Sequence, residues 1–119
     1  AVALGGAAGA LARYGLDRFL EHHILTVFPW STFVVNVTGC FLAGVAVAVL
    51  VDRHDTPAWL RVGVVVGFLG AYTTFSTFAQ ESRDLAVGGH QLLALTDAVA
   101  SVAVGVAAVG LGTVAGRLL

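Results

Sequence analysis

Four apolar runs, at about residues 2–20, 32–51, 62–81 and 92–116, are parted by short polar connectors, and nothing else in the chain limits its fold so tightly. Each is close to the roughly 20 residues that a helix needs to cross about 30 Å of hydrocarbon. A bilayer core offers no water to backbone N–H and C=O groups, so a spanning segment must pair them within itself. Composition agrees: 58% of the 119 residues are hydrophobic and 11% charged, too apolar for a soluble domain of this size. The expectation is an all-α membrane protein, a single domain over residues 1–119 with four transmembrane helices. Trp30 and Trp59 stand just outside the second and third runs, where interfacial aromatics anchor helices. The chain opens within an apolar run and without methionine, which predicts that a few residues precede Ala1. Arg13 and Asp17 interrupt that run, unlike the core of a cleaved signal peptide.

The third run stops behaving as a lipid-facing helix partway along. Gly67-Phe-Leu-Gly70-Ala-Tyr-Thr73-Thr74-Phe75-Ser76-Thr77-Phe78 begins apolar and then gathers β-branched and hydroxyl residues. Glycine and adjacent threonines weaken a helix, and hydroxyls can satisfy the backbone groups that a break frees. Irregular backbone at membrane depth is tolerated only where it is buried in protein or lines a watery cavity. The segment predicts a functional break in the third helix.

Charge bears on assembly. With four spans, Arg53, Arg61 and Arg117 fall on one side and Arg13, Arg18 and Arg83 on the other. This balance leaves the positive-inside rule nothing to decide. A chain that inserts both ways can form an antiparallel, dual-topology dimer, and four helices alone leave no lumen for a pore. Gly5/Gly9, Gly63/Gly67 and Gly112/Gly116 have the spacing that lets helix backbones approach, within a subunit or between subunits. The chain has no lysine and a net charge of −1, so no basic stripe could neutralise phosphates; nucleic acid is excluded as a partner. The single Cys40 has no partner for a disulfide and reads as a small apolar filler. No nucleophile–base pair, phosphate loop or spaced metal-ligand set suggests an enzyme.

Polar residues within the spans carry the rest, because hydrocarbon makes them costly. Asn36 lies early in the second run, with Thr32 one turn before it and Gly39 and Ala43 continuing that face. Its amide could make an interhelical hydrogen bond or line a polar pathway. Asp97, Ser101 and Gly105 form a comparable line in the fourth run. Phe75 and Phe78 are neighbours on one helix face, either as core packing or presenting their positive ring edges to a dehydrated anion. Glu81 shares a face with Thr77 and is either a buried acid or an interfacial one. Arg13 is either a buried partner or a snorkelling side chain.

Three stretches together resemble the Fluc (CrcB) family of fluoride channels. Gly5-Gly6-Ala-Ala-Gly9-Ala-Leu-Ala-Arg13-Tyr14 is similar to its opening glycine-and-arginine motif. Thr32-Phe-Val-Val-Asn36-Val-Thr-Gly39 is similar to its second-helix asparagine motif, and residues 67–78 with Glu81 to its third-helix signature. The resemblance implies passive fluoride export across the cell (plasma or inner) membrane, protecting against fluoride toxicity. It implies an antiparallel homodimer in membrane lipid, with two pores around a structural sodium ion (Na+) at the dimer centre. Main-chain carbonyls matching Gly70 and Thr73 would hold the sodium. Phe75 and Phe78 match the rings beside the path and Asn36 a polar residue on it. Thr32, Thr77 and Ser101 fall on the accompanying polar track, Glu81 matches an acid near a pore end, and Arg13 a vestibule arginine. Asp97 departs from that pattern, since a carboxylate would repel fluoride.

Fluoride is small and strongly hydrated, so entry needs donors that replace water yet bind weakly enough to allow exit. Neutral amide, hydroxyl and ring-edge groups suit that task better than a buried lysine. The alternative is a small dual-topology proton-coupled exporter, which requires a membrane-embedded carboxylate. A non-transporting membrane subunit would leave the third-helix break unexplained.

Overall fold

The computed structural model describes residues 1–53 and 55–119, and every regular element among them is helical. Helix α1 is Val2–His23 and α2 is Trp30–Ala46, which runs on through wider π-type turns at Val47–Val51. The change of pitch is visible where Asp52 N–H reaches back five residues to Val47 O, at 2.9 Å. Helix α3 is composite: Ala58–Arg61 and Gly70–Tyr72 are α-helical, and Val62–Leu69 between them takes the wider form. Helix α4, Phe75–Val87, continues the same rod after an extended step at Thr73 and Thr74. Helix α5 is Gln91–Leu118. The chain thus makes four rods in a body of 51 × 27 × 22 Å, whose long axis suits a bilayer with its headgroups.

Three rods are long and apolar enough to cross a membrane: Trp30–Val51, Ala58–Val87 and Gln91–Leu118. The amino-terminal run expected as a fourth span does not meet that standard. Its length suffices at 22 residues, but Arg13, Asp17 and Arg18 fall within any 18-residue stretch of it. Its apolar amino-terminal half packs along α3.

Small residues set the packing. Helix α1 lies along residues 62–72, and α2 along α5, with α4 folded back on α5. Added methyls at Gly5 and Gly9 would strike the backbone of Gly63 and Phe68. Likewise Gly44 faces the backbone of Val109 and Thr113, and Gly112 faces that of Phe41. The glycine pairs singled out in the sequence therefore pack within the subunit. Without a hydrophobic drive between helices in lipid, such backbone contact supplies the dispersion that holds them. Buried side chains are correspondingly few and mostly small: Val35, Ala46, Ala48, Leu69, Tyr72, Leu85 and Ala108.

Gly112→Val should wedge α2 from α5, while Gly110→Val, beside which nothing lies within 4 Å, should be tolerated. Overpacking of this kind costs roughly 1–3 kcal/mol. Thermal unfolding in detergent, followed by fluorescence of Trp30 and Trp59, should show a lowered midpoint for the first variant and a near-native one for the second.

Candidate functional site

The break between α3 and α4 is built from one helix giving up its own hydrogen bonds. In an unbroken helix Thr74 N–H would bond Gly70 O, and Thr77 N–H would bond Thr73 O. Thr73 and Thr74 take extended conformations instead, φ −82°, ψ 158° and φ −148°, ψ 114°. The Thr74 N–H donates to Asn36 Oδ1 at 2.8 Å, and Asn36 Nδ2 donates back to Thr74 O at 2.9 Å. Thr77 N–H finds the Thr74 hydroxyl at 3.3 Å, a side-chain N-cap that restarts the helix as α4. The carbonyls of Gly70 and Thr73 are among those thereby released from their helical donors. Arg13 reaches across from α1 and donates Nη1 to Thr73 O at 3.4 Å.

Beside the break runs an open groove of about 490 Å³ between α2, α3 and α5. Asn36, Thr73, Thr74, Phe75, Phe78 and Ser101 all line it. The two phenylalanine rings stand 5.7 Å apart and tilted by 50°, with Phe75 79% exposed in the single subunit. Because Asn36 commits one N–H and its carbonyl to Thr74, it retains one N–H for anything else. It is thus an interhelical clamp first, with a residual donor. The amino end of α4, with backbone N–H groups that lack helical acceptors, opens beside the same space.

Other residues picked from the sequence gather elsewhere. Thr32 Oγ1 donates to Glu81 Oε1 at 2.9 Å, and the second oxygen of Glu81 is buried without a partner. Glu81 lines a separate opening near the α1–α2 connector, with Glu21, Asp84 and His90. Thr77 does not line the groove; it sits in the first turn of α4, where its hydroxyl accepts from that of the capping Thr74 at 3.0 Å. Asp97 lies behind the groove wall and is 1% exposed, accepting from Ser101 Oγ at 3.1 Å and Ser82 Oγ at 3.3 Å.

Two features went unread in the sequence. Tyr72 OH pairs with Thr38 Oγ1 at 2.7 Å, fastening the end of α3 to α2. A tyrosine inside an apolar run implies a hydroxyl partner, and that signal was available. The bond from Arg13 to Thr73 O had no such signal, because it joins positions 60 residues apart.

The arrangement places amide, hydroxyl and ring-edge groups around an uncharged groove, next to carbonyl oxygens released from their helix. A family model described as CrcB-like protein, Camphor Resistance (CrcB), matches residues 1–113. A protein of Acidobacterium capsulatum, named fluoride-specific ion channel FluC, is 49% identical over 98% of this chain and 93% of its own length. Magnetococcus marinus has one of that name at 44% identity over 99% and 96%. In Symbiobacterium thermophilum, fluoride-specific ion channel FluC 2 is 41% identical over 93% and 90%.

Asn36→Ala should leave the Thr74 N–H without a partner, at about 1–3 kcal/mol for a group left buried and unsatisfied. The Thr74 amide should then exchange with deuterium at least tenfold faster than in the native protein, with amides of α5 unaffected.

Proposed function

The chain belongs to the CrcB-like family, and from that premise we propose that this multi-pass membrane protein is a fluoride channel that lets the ion leave the cell passively across the plasma membrane. One observation carries the reading: a helix broken inside the bundle, clamped by Asn36, with its break opening on a groove of neutral donors. Family relatives named as fluoride-specific ion channels supply the identity of the ion.

The groove explains how such an ion could be accommodated. A dehydrated anion needs several modest donors rather than one strong cation, so that it is neither refused nor trapped. The remaining Asn36 N–H and the edges of Phe75 and Phe78 are donors of that strength, and the Ser101 hydroxyl is one whenever Asp97 does not hold its hydrogen. Thr32 and Glu81 lie further along the chain's polar line, toward one end of the bundle. Thr77 serves the path indirectly by holding the start of α4.

An open side is the argument for a second copy. Phe75 and Gly70 are exposed in one subunit, and a methyl added at Gly70 would point into open space. Irregular backbone does not face lipid, so the break calls for protein cover. An antiparallel homodimer would provide it and would enclose two pores. The released carbonyls of Gly70 and Thr73 fit a sodium ion by their chemistry: they are hard oxygens without helical donors. One copy supplies too few of them, and a second would double the set. Arg13 shares the Thr73 oxygen, whose second lone pair stays available. When bound, the ion would add a central positive charge in a low-dielectric setting, drawing anions toward the break.

A proton-coupled exporter needs an embedded carboxylate, and buried Asp97 is one. Efflux from liposomes, read with fluoride and chloride electrodes, separates the readings. Fast fluoride release with negligible chloride, needing no proton gradient, is expected. Phe75→Ile should slow it about tenfold or more, on the order of 1.4 kcal/mol in the barrier, without loss of folded protein. Flux that occurs only with a proton gradient would select the exporter, and unchanged flux in the variant would remove Phe75 from the path.

A further inference from the structure

Asp97 is the one feature of the groove wall that a fluoride path does not call for. It is 1% exposed, and its carboxylate accepts from Ser101 Oγ at 3.1 Å and Ser82 Oγ at 3.3 Å. Ser101 itself lines the groove, with Asp97 directly behind it on the preceding turn of α5. A hydroxyl has one hydrogen and two lone pairs. While Ser101 gives its hydrogen to Asp97, it can present only lone pairs to the groove, and an anion there meets an acceptor.

Protonation reverses the polarity. A neutral carboxyl group can donate its own hydrogen to Ser101 Oγ, which releases the serine hydrogen to swing into the groove. It also removes a negative charge from behind the wall. We propose that Asp97 is a positioning residue for anion passage: through the Ser101 hydroxyl it sets whether the groove offers a donor or an acceptor, and its protonated form is the conducting one. This inference rests on the reading of the groove as the ion's path.

The surroundings leave this pair in control of the wall. From α4, Glu81 is a further acid, held by Thr32 Oγ1, while Arg83 and Asp84 pair with each other at 3.3 Å on the exposed side. From α2 the ionisable side chain facing α5 is Cys40, whose Sγ lies near Gly105, one turn beyond Ser101. On α5 itself Arg117 is at the far end, and His90 precedes the first turn. Among the described residues no cation pairs with Asp97.

The sign follows from the proton count. Flux should be highest where Asp97 is protonated and fall about tenfold as pH rises through its ionisation. Asp97→Asn keeps a donor toward Ser101 at every pH, because its amide N–H replaces the carboxyl O–H. Its flux should stay at the native acid level across the whole range. Ser101→Ala should be low and flat. Fluoride electrodes on reconstituted full-length protein, with protein-free liposomes giving the background leak of hydrogen fluoride, read all three. A native pH step that survives in Asp97→Asn or in Ser101→Ala would overturn the proposal.

Infrared titration of the protonated carboxyl band gives a readout independent of flux. The band assigned to Asp97 is the one missing in Asp97→Asn. Losing the Ser101 donor removes support from the carboxylate, so Ser101→Ala should move the band's midpoint to higher pH. An unmoved midpoint would break the pair whatever the flux shows. A shifted midpoint in a protein that passes no fluoride would keep the Asp97–Ser101 coupling and sink the channel reading instead.

Discussion

The two hydrogen bonds between the Asn36 amide and the backbone of Thr74 are what the rest of the structure depends on. An interrupted helix at membrane depth must find partners for the groups it frees, and water is not available to provide them. One side chain meets the need in both directions, accepting from the N–H and donating to the C=O. Everything near the break follows from that exchange. Thr74 can turn its hydroxyl to cap α4, the rod can restart at Phe75, and the carbonyls at the end of α3 are left without helical donors. Leucine in place of Asn36 would suit hydrocarbon better and would leave no reason for the break to persist.

The bundle around this clamp is held by contacts of a different kind. Helices α1 and α3 meet through Gly5, Gly9, Gly63 and Gly67, and α2 and α5 through Gly44 and Gly112. Backbone thus rests on backbone, and the distances between helices are fixed by atoms that have no rotamers. That rigidity fixes the register of Asn36 against Thr74 and of Ser101 against the groove. The side on which Phe75 and Gly70 lie has no such seam, which is why one subunit has the parts of a path without its enclosure.

Much of this was legible in the residues, and what was hidden shares one physical cause. Spans at 32–51, 62–81 and 92–116 follow from hydropathy and correspond to the three apolar rods. The first run is a single helix, Val2–His23, whose apolar half is followed by Arg13, Asp17 and Arg18. Thr73 and Thr74 stood out by their chemistry, and the structure has extended backbone at both. Asn36 was picked as polar in an apolar run, but its partner was not, because pairing between helices depends on their relative rotation and depth. The same reason hid Arg13 against Thr73 O, Thr32 against Glu81 and Ser82 against Asp97. The widened turns at Val47–Val51 and Val62–Leu69 carry no glycine or proline signature common to both, so pitch could not be read at all.

The glycine seam between α2 and α5 also determines how this protein responds to temperature. The apolar core of a protein folded in water loses driving force on cooling, because apolar hydration carries a large heat capacity. Inside hydrocarbon, bringing Gly44 against Val109 and Gly112 against Phe41 releases no ordered water and freezes no side chain. Dispersion between fixed backbone atoms changes little with temperature. This seam should therefore contribute almost nothing to the curvature of stability with temperature, and a cold-adapted and a heat-adapted version of the bundle could share it unchanged.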